Sequence, residues 1–150
     1  MVEPAEHLAP LQPIIGRWRS SGVIVDGDGK VLGQITGSDT YTWLPGGQWI
    51  VHEVDVLMDQ ERAQTLDLIG GREEVSGGWH MIAFDTADQP GRMTLTVQEP
   101  GLLLLQGDGV RSWFRPQAGS DHMTTLWKRE VDGRWLPWMD MRFDRGRPPT

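Results

Sequence analysis

The chain has 150 residues, a formal net charge of −7, 19 glycines, 10 prolines, 8 tryptophans and no cysteine. It also lacks asparagine, so a disulfide framework, a cysteine-based zinc or redox site and N-glycosylation are all excluded. The length suits one domain, 1–150, with a real hydrophobic core, and the acidic balance argues against nucleic acid, which calls for a basic field.

Residues 1–16 carry Glu3, Glu6 and three prolines where a signal peptide would have a basic start and an apolar run. No apolar stretch reaches membrane-spanning length, so the expectation is a cytoplasmic protein with no membrane partner. Residues 4–15 predict a short helix or 3₁₀ turn, because Pro10 and Pro13 forbid a long one. Leu8, Leu11, Ile14 and Ile15 are placed to plug one end of the fold.

Ten strands follow, near 17–25, 30–44, 48–58, 62–70, 78–86, 92–99, 101–107, 110–116, 121–131 and 134–143. Turn signals divide them: DGDG at 26–29, PGG at 45–47, SGG at 76–78, EPG at 99–101, GDG at 107–109 and DG at 132–133. Connections this short favour neighbouring antiparallel strands, and no segment is long enough for a crossover helix. The predicted fold is all-β, an up-and-down antiparallel barrel of about ten strands with a short N-terminal helical turn.

Tight turns suggest registers. A two-residue turn at Gly46-Gly47 sets Trp43 opposite Ile50, Tyr41 opposite His52 and Asp39 opposite Val54. The alternate face, with Ser38, Thr40, Glu53 and Asp55, is the wetter one, so Asp39, Tyr41, Trp43, His52 and Val54 are assigned inward. Closing the first hairpin around DGDG sets Trp18 opposite Gly37 and Ser20 opposite Ile35, with Trp18 also inward. A turn at Asp132-Gly133 sets Trp127 opposite Trp138, Thr125 opposite Asp140 and Met123 opposite Arg142. Two faces compete there. The set with Leu126, Met139, Met141 and Phe143 is the more apolar. The set with Thr125, Trp127, Trp138 and Asp140 is the aromatic and polar mix that lines ligand sites, and it is preferred inward. Elsewhere Met93, Leu95 and Val97, and Val110, Ser112 and Phe114, are assigned inward.

Standard catalytic and phosphate-binding motifs are missing. Adjacent pairs such as His52-Glu53 and Asp121-His122 point to opposite sheet faces, and no two histidines share a strand face at i, i+2, so no metal site is expected. His52 reads first as a buried histidine bonded to Tyr41 or Asp39. Its functional reading is a polar anchor, or one member of a proton-handling Tyr41/His52/Asp39 cluster.

The segment IIGRWRSSG at 14–22 resembles the Gly-x-Trp opening of lipocalin-like (calycin) barrels. With GSDTYTWLPGGQWIVHEVDV at 37–56, IAFDT at 82–86 and WLPWMDM at 135–141, nearly the whole chain resembles a bacterial family of lipocalin-like domains without a settled activity. That resemblance implies a barrel of about ten strands able to hold a small ligand. The architecture is also similar to that of nitrobindin, where a histidine after the last strand holds heme iron. No histidine follows His122 here, so heme is disfavoured and no cofactor is expected.

The expected function is binding of a small hydrophobic or aromatic molecule, with Trp18, Asp39, Tyr41, Trp43, His52, Thr125, Trp127, Trp138 and Asp140 lining the site. The alternatives are an isomerase or cyclase using Tyr41, His52 and Asp39, and a structural or partner-binding domain with a filled core. With Trp127 and Trp138 inward, Met139, Met141 and Phe143 would form an outer apolar stripe beside Leu126. Pairing through that stripe would make a homodimer.

Overall fold

The computed structural model describes residues 4–117 and 119–146. A 3₁₀ helix, Glu6–Ile14, precedes ten strands: β1 Gly16–Val25, β2 Val31–Trp43, β3 Trp49–Met58, β4 Glu61–Gly70, β5 Trp79–Phe84, β6 Gly91–Glu99, β7 Leu102–Gly107, β8 Val110–Pro116, β9 His122–Val131 and β10 Arg134–Arg145. Each strand pairs antiparallel with its sequence neighbours, and β1 closes on β10. The result is an up-and-down barrel with no free sheet edge.

The 3₁₀ helix caps one end. Leu8, Leu11 and Ile14 are fully buried there, and Ile15 packs against the same core. Hydrogen bonds fasten the cap to the strands around it. Ala5 N donates to Gly47 O at 2.8 Å. The His7 ring bonds Gly71 O at 3.2 Å, and Trp79 Nε1 donates to His7 O at 3.2 Å. Trp18 lies under the cap, its Nε1 donating to Ile14 O at 2.8 Å. Arg145 lays its guanidinium over the Trp18 ring, 4.1 Å from the centroid, and donates to Ile15 O at 2.6 Å and Pro13 O at 3.1 Å. Gly16 makes room for this: its φ is +133°, and a Cβ there would collide with Arg145 Nη1.

The β2–β3 register is as expected, with Trp43 opposite Ile50, Tyr41 opposite His52 and Asp39 opposite Val54. The first hairpin differs from expectation by two residues: Trp18 faces Asp39, and Ser20 faces Gly37. Two increments add to make this slip. Val25 pairs with Val31, so the loop has one residue more than DGDG alone supplies, and a bulge between Ile24 and Val25 adds the second. Because the side-chain period is two, the double slip keeps Trp18 inward.

The last hairpin requires a larger correction. The Asp132-Gly133 turn forms, but a register shift between Pro137 and Met139 puts Met139 opposite Trp127, Met141 opposite Thr125 and Phe143 opposite Met123. Pro137 has no N–H to donate to the ladder, and bulges are where strands accommodate proline. Beyond this single-residue slip the β10 faces are exchanged while those of β9 are not. Met141 and Phe143 are therefore core, whereas Asp140 and Arg142 are exposed. The outer apolar stripe expected to carry a homodimer is not on the surface; of its members only Leu126 is exposed.

Leu95, Leu103, Leu105, Ser112 and Phe114 are buried inward residues. Val97, expected inward, is 43% exposed where β6 bulges between Val97 and Glu99.

Candidate functional site

A cavity of about 470 Å³ occupies the half of the barrel away from the 3₁₀ cap. Its upper wall carries Met58, Phe84, Trp127, Trp138 and Met139, near the ends where β3, β5 and β9 turn into the next strand. Trp127 and Trp138 meet edge to face, with centroids 6.0 Å apart. Its floor carries Tyr41, His52, Asp39 and Asp67.

The floor is one hydrogen-bond chain across four adjacent strands. Ser20 on β1 donates to Asp39 Oδ1 on β2 at 2.5 Å. His52 on β3 bonds Asp39 Oδ2 through Nε2 and Asp67 Oδ2 on β4 through Nδ1, both at 2.7 Å. Strand register dictates this arrangement. Tyr41, His52 and Asp67 are direct cross-strand neighbours in one row, and Asp39 sits two residues from Tyr41 on the same face. Ser20, Asp39, His52 and Asp67 are all buried.

Two carboxylate partners call for two N–H donors, which only the imidazolium supplies. Burial pushes the His52 pKa down, but the hydrogen bonds and charges of Asp39 and Asp67 outweigh it and raise the value from 6.5 to about 9. The Tyr41 ring stacks on the imidazole, with centroids 4.0 Å apart and 6° between planes. Burial, then the charges of Asp39 and Asp67, raise the Tyr41 hydroxyl well above its ordinary value, so it remains a donor. With His52 as the imidazolium between two carboxylates, the floor carries one surplus negative charge. Asp85 also lines the cavity, and among the described residues no lysine or arginine does.

Thr125 and Ser112 stand on another part of the wall. Thr125 is 2% exposed and lines the cavity; Ser112 is fully buried one strand away. Neither hydroxyl oxygen has a hydrogen-bond partner among the described residues. Buried hydroxyls normally find one, so this wall carries unmet polar capacity.

Of the residues expected to line a site, Asp39, Tyr41, His52, Thr125, Trp127 and Trp138 do so. Trp18 and Trp43 face inward but belong to the capped end, where they pack against the core. Asp140 is outside the barrel, a consequence of the bulge at Pro137. Two members of the floor were not foreseen. Ser20 was hidden by the slip in the first hairpin. Asp67 was hidden because the β3–β4 turn contains no glycine. Asp59 fills its left-handed position, φ 56°, and Met58 pairs with Glu61. A two-residue turn at Asp59-Gln60 would have set His52 opposite Asp67, and Asp is among the residues that tolerate that conformation.

No protein-family model matches the chain, and no curated protein matches it significantly.

Proposed function

We propose that this chain is a lipocalin-like barrel that binds a small hydrophobic or aromatic molecule in its cavity. The observation that carries this reading is the cavity itself, about 470 Å³ with a mainly apolar wall over a small polar floor. That size and that division of chemistry are typical of small-molecule sites. Five of the chain's seven methionines, Met58, Met81, Met93, Met139 and Met141, line it. Methionine is flexible and polarizable, which suits a wall that adapts to an aromatic or aliphatic guest. The resemblance of Gly16-Arg17-Trp18 and the segments after it to lipocalin-like barrels points the same way.

Binding is favoured over acid–base catalysis by His52. Both its ring nitrogens are held by carboxylates, which leaves no lone pair for a substrate proton. The histidine is a fixed charge within the floor. The test is a screen of hydrophobic and aromatic small molecules by tryptophan emission and thermal shift. Saturable emission changes accompanied by a raised Tm support the reading. A panel in which nothing shifts either signal rejects it.

A further inference from the structure

We infer that the cavity takes an amphipathic amine, with its ammonium on the Asp67 side of the floor and its apolar body against the Trp127–Trp138 wall. This rests on the reading of the cavity as a ligand site and names the chemical class it selects.

Three observations converge. First, the floor has more anion than cation: two carboxylates flank one histidine, and among the described residues no lysine or arginine lines the cavity to offset them. A low-dielectric cup with uncompensated negative charge attracts a cation and repels an anion. Second, the carboxylates are unequally occupied. Asp39 uses both oxygens, one for Ser20 and one for His52, whereas among the described residues Asp67 engages His52 through Oδ2 alone. Third, Thr125 lines the cavity, and its buried hydroxyl has no partner among the described residues. β9 and β4 lie five strands apart in either direction round the closed barrel, so Thr125 faces Asp67 from the opposite wall. The wall across the cup from Asp67 thus carries unmet polar capacity.

The aromatic wall serves the same class. Trp127, Trp138 and Phe84 offer faces and edges to an apolar body. A carboxylate on the same body would enter against the charge of Asp39, Asp67 and Asp85.

The test compares three molecules of nearly one shape by isothermal titration calorimetry: naphthylethylamine, ethylnaphthalene and naphthylacetate. The amine is expected to bind at least tenfold more tightly than the neutral hydrocarbon, with no measurable binding of the acid. In Asp67→Asn the preference for the amine over ethylnaphthalene should fall at least fivefold while ethylnaphthalene binding persists. Should that variant fail to fold, the comparison on the unaltered protein still decides the matter. Equal or tighter binding of ethylnaphthalene or naphthylacetate overturns the amine inference and leaves small-molecule binding standing. If none of the three binds while other apolar guests do, only the amine inference falls. If no small molecule of any class binds, both fall.

Discussion

Asp67 holds the Nδ1 of His52 at 2.7 Å across the β3–β4 ladder, while Asp39 holds Nε2 at the same distance from β2. The imidazolium is thus clamped between two strands on either side of its own. This makes barrel stability depend on pH in a particular sense. A pKa raised from 6.5 in the unfolded chain to about 9 in the fold means that folding takes up a proton between those values. The stabilisation is complete below about pH 6.5 and is lost as pH rises through about 9. By the usual conversion of pKa shift into free energy, it amounts to ~3 kcal/mol. Urea denaturation between pH 6 and pH 10 should show the midpoint falling over that alkaline window. A flat profile would mean His52 is neutral at neutral pH.

Removing the cation alone should be worse than removing the whole cluster. His52→Ala leaves Asp39 and Asp67 buried without their common donor, a loss of roughly 3–5 kcal/mol. Replacing Asp39, His52 and Asp67 together with leucine or methionine of suitable volume should recover most of that loss, because the desolvation of the charges disappears too. Chemical denaturation of the single and triple variants checks this. A triple variant less stable than His52→Ala would show that the cluster holds the barrel together by more than charge pairing.

Arg145 fastens the capped end through Trp18 and the carbonyls of Pro13 and Ile15. Arg145→Ala removes a partly buried cation–π contact and two charge-assisted hydrogen bonds, a loss of about 2–4 kcal/mol. Hydrogen exchange should show the 3₁₀ helix opening before the rest of the barrel. Unchanged protection of Leu8 and Leu11 would contradict this.

The bulge at Pro137 makes neighbouring residues on β10 respond in opposite ways. Asp140→Ala, outside the barrel, should change stability by less than about 0.5 kcal/mol. Met141→Glu places a charge in the core opposite Thr125 and should prevent folding at neutral pH. Circular dichroism of both proteins is sufficient. A folded Met141→Glu variant would restore the register without a bulge, and with it the outer apolar stripe.

The ten strands and their order were legible because a Gly or Asp-Gly turn and a period-two pattern delimit nearly all of them. The inward face of β2 and β3 was legible because Gly46-Gly47 fixes the register and the opposite face is clearly polar. Legibility ended where a local irregularity changes the count of residues. The bulge at Pro137 exchanged the faces of β10, and only the prolines's missing N–H hinted at it. The turn at Asp59 concealed Asp67 because aspartate, not glycine, occupies the left-handed position. The clamp on His52 was therefore half visible: Asp39 was in reach of the register argument, and Asp67 was not.

The reading of the barrel as a ligand container is tested most directly by methyl NMR on the methionines. Met58, Met81, Met93, Met139 and Met141 line the cavity, whereas Met123 is buried in the core. Titration with naphthylethylamine should move the five cavity methyl resonances saturably and leave Met123 nearly still. If the cavity methyls stay fixed here and through a panel of other apolar guests, or if only resonances of exterior groups move, the barrel does not hold small molecules.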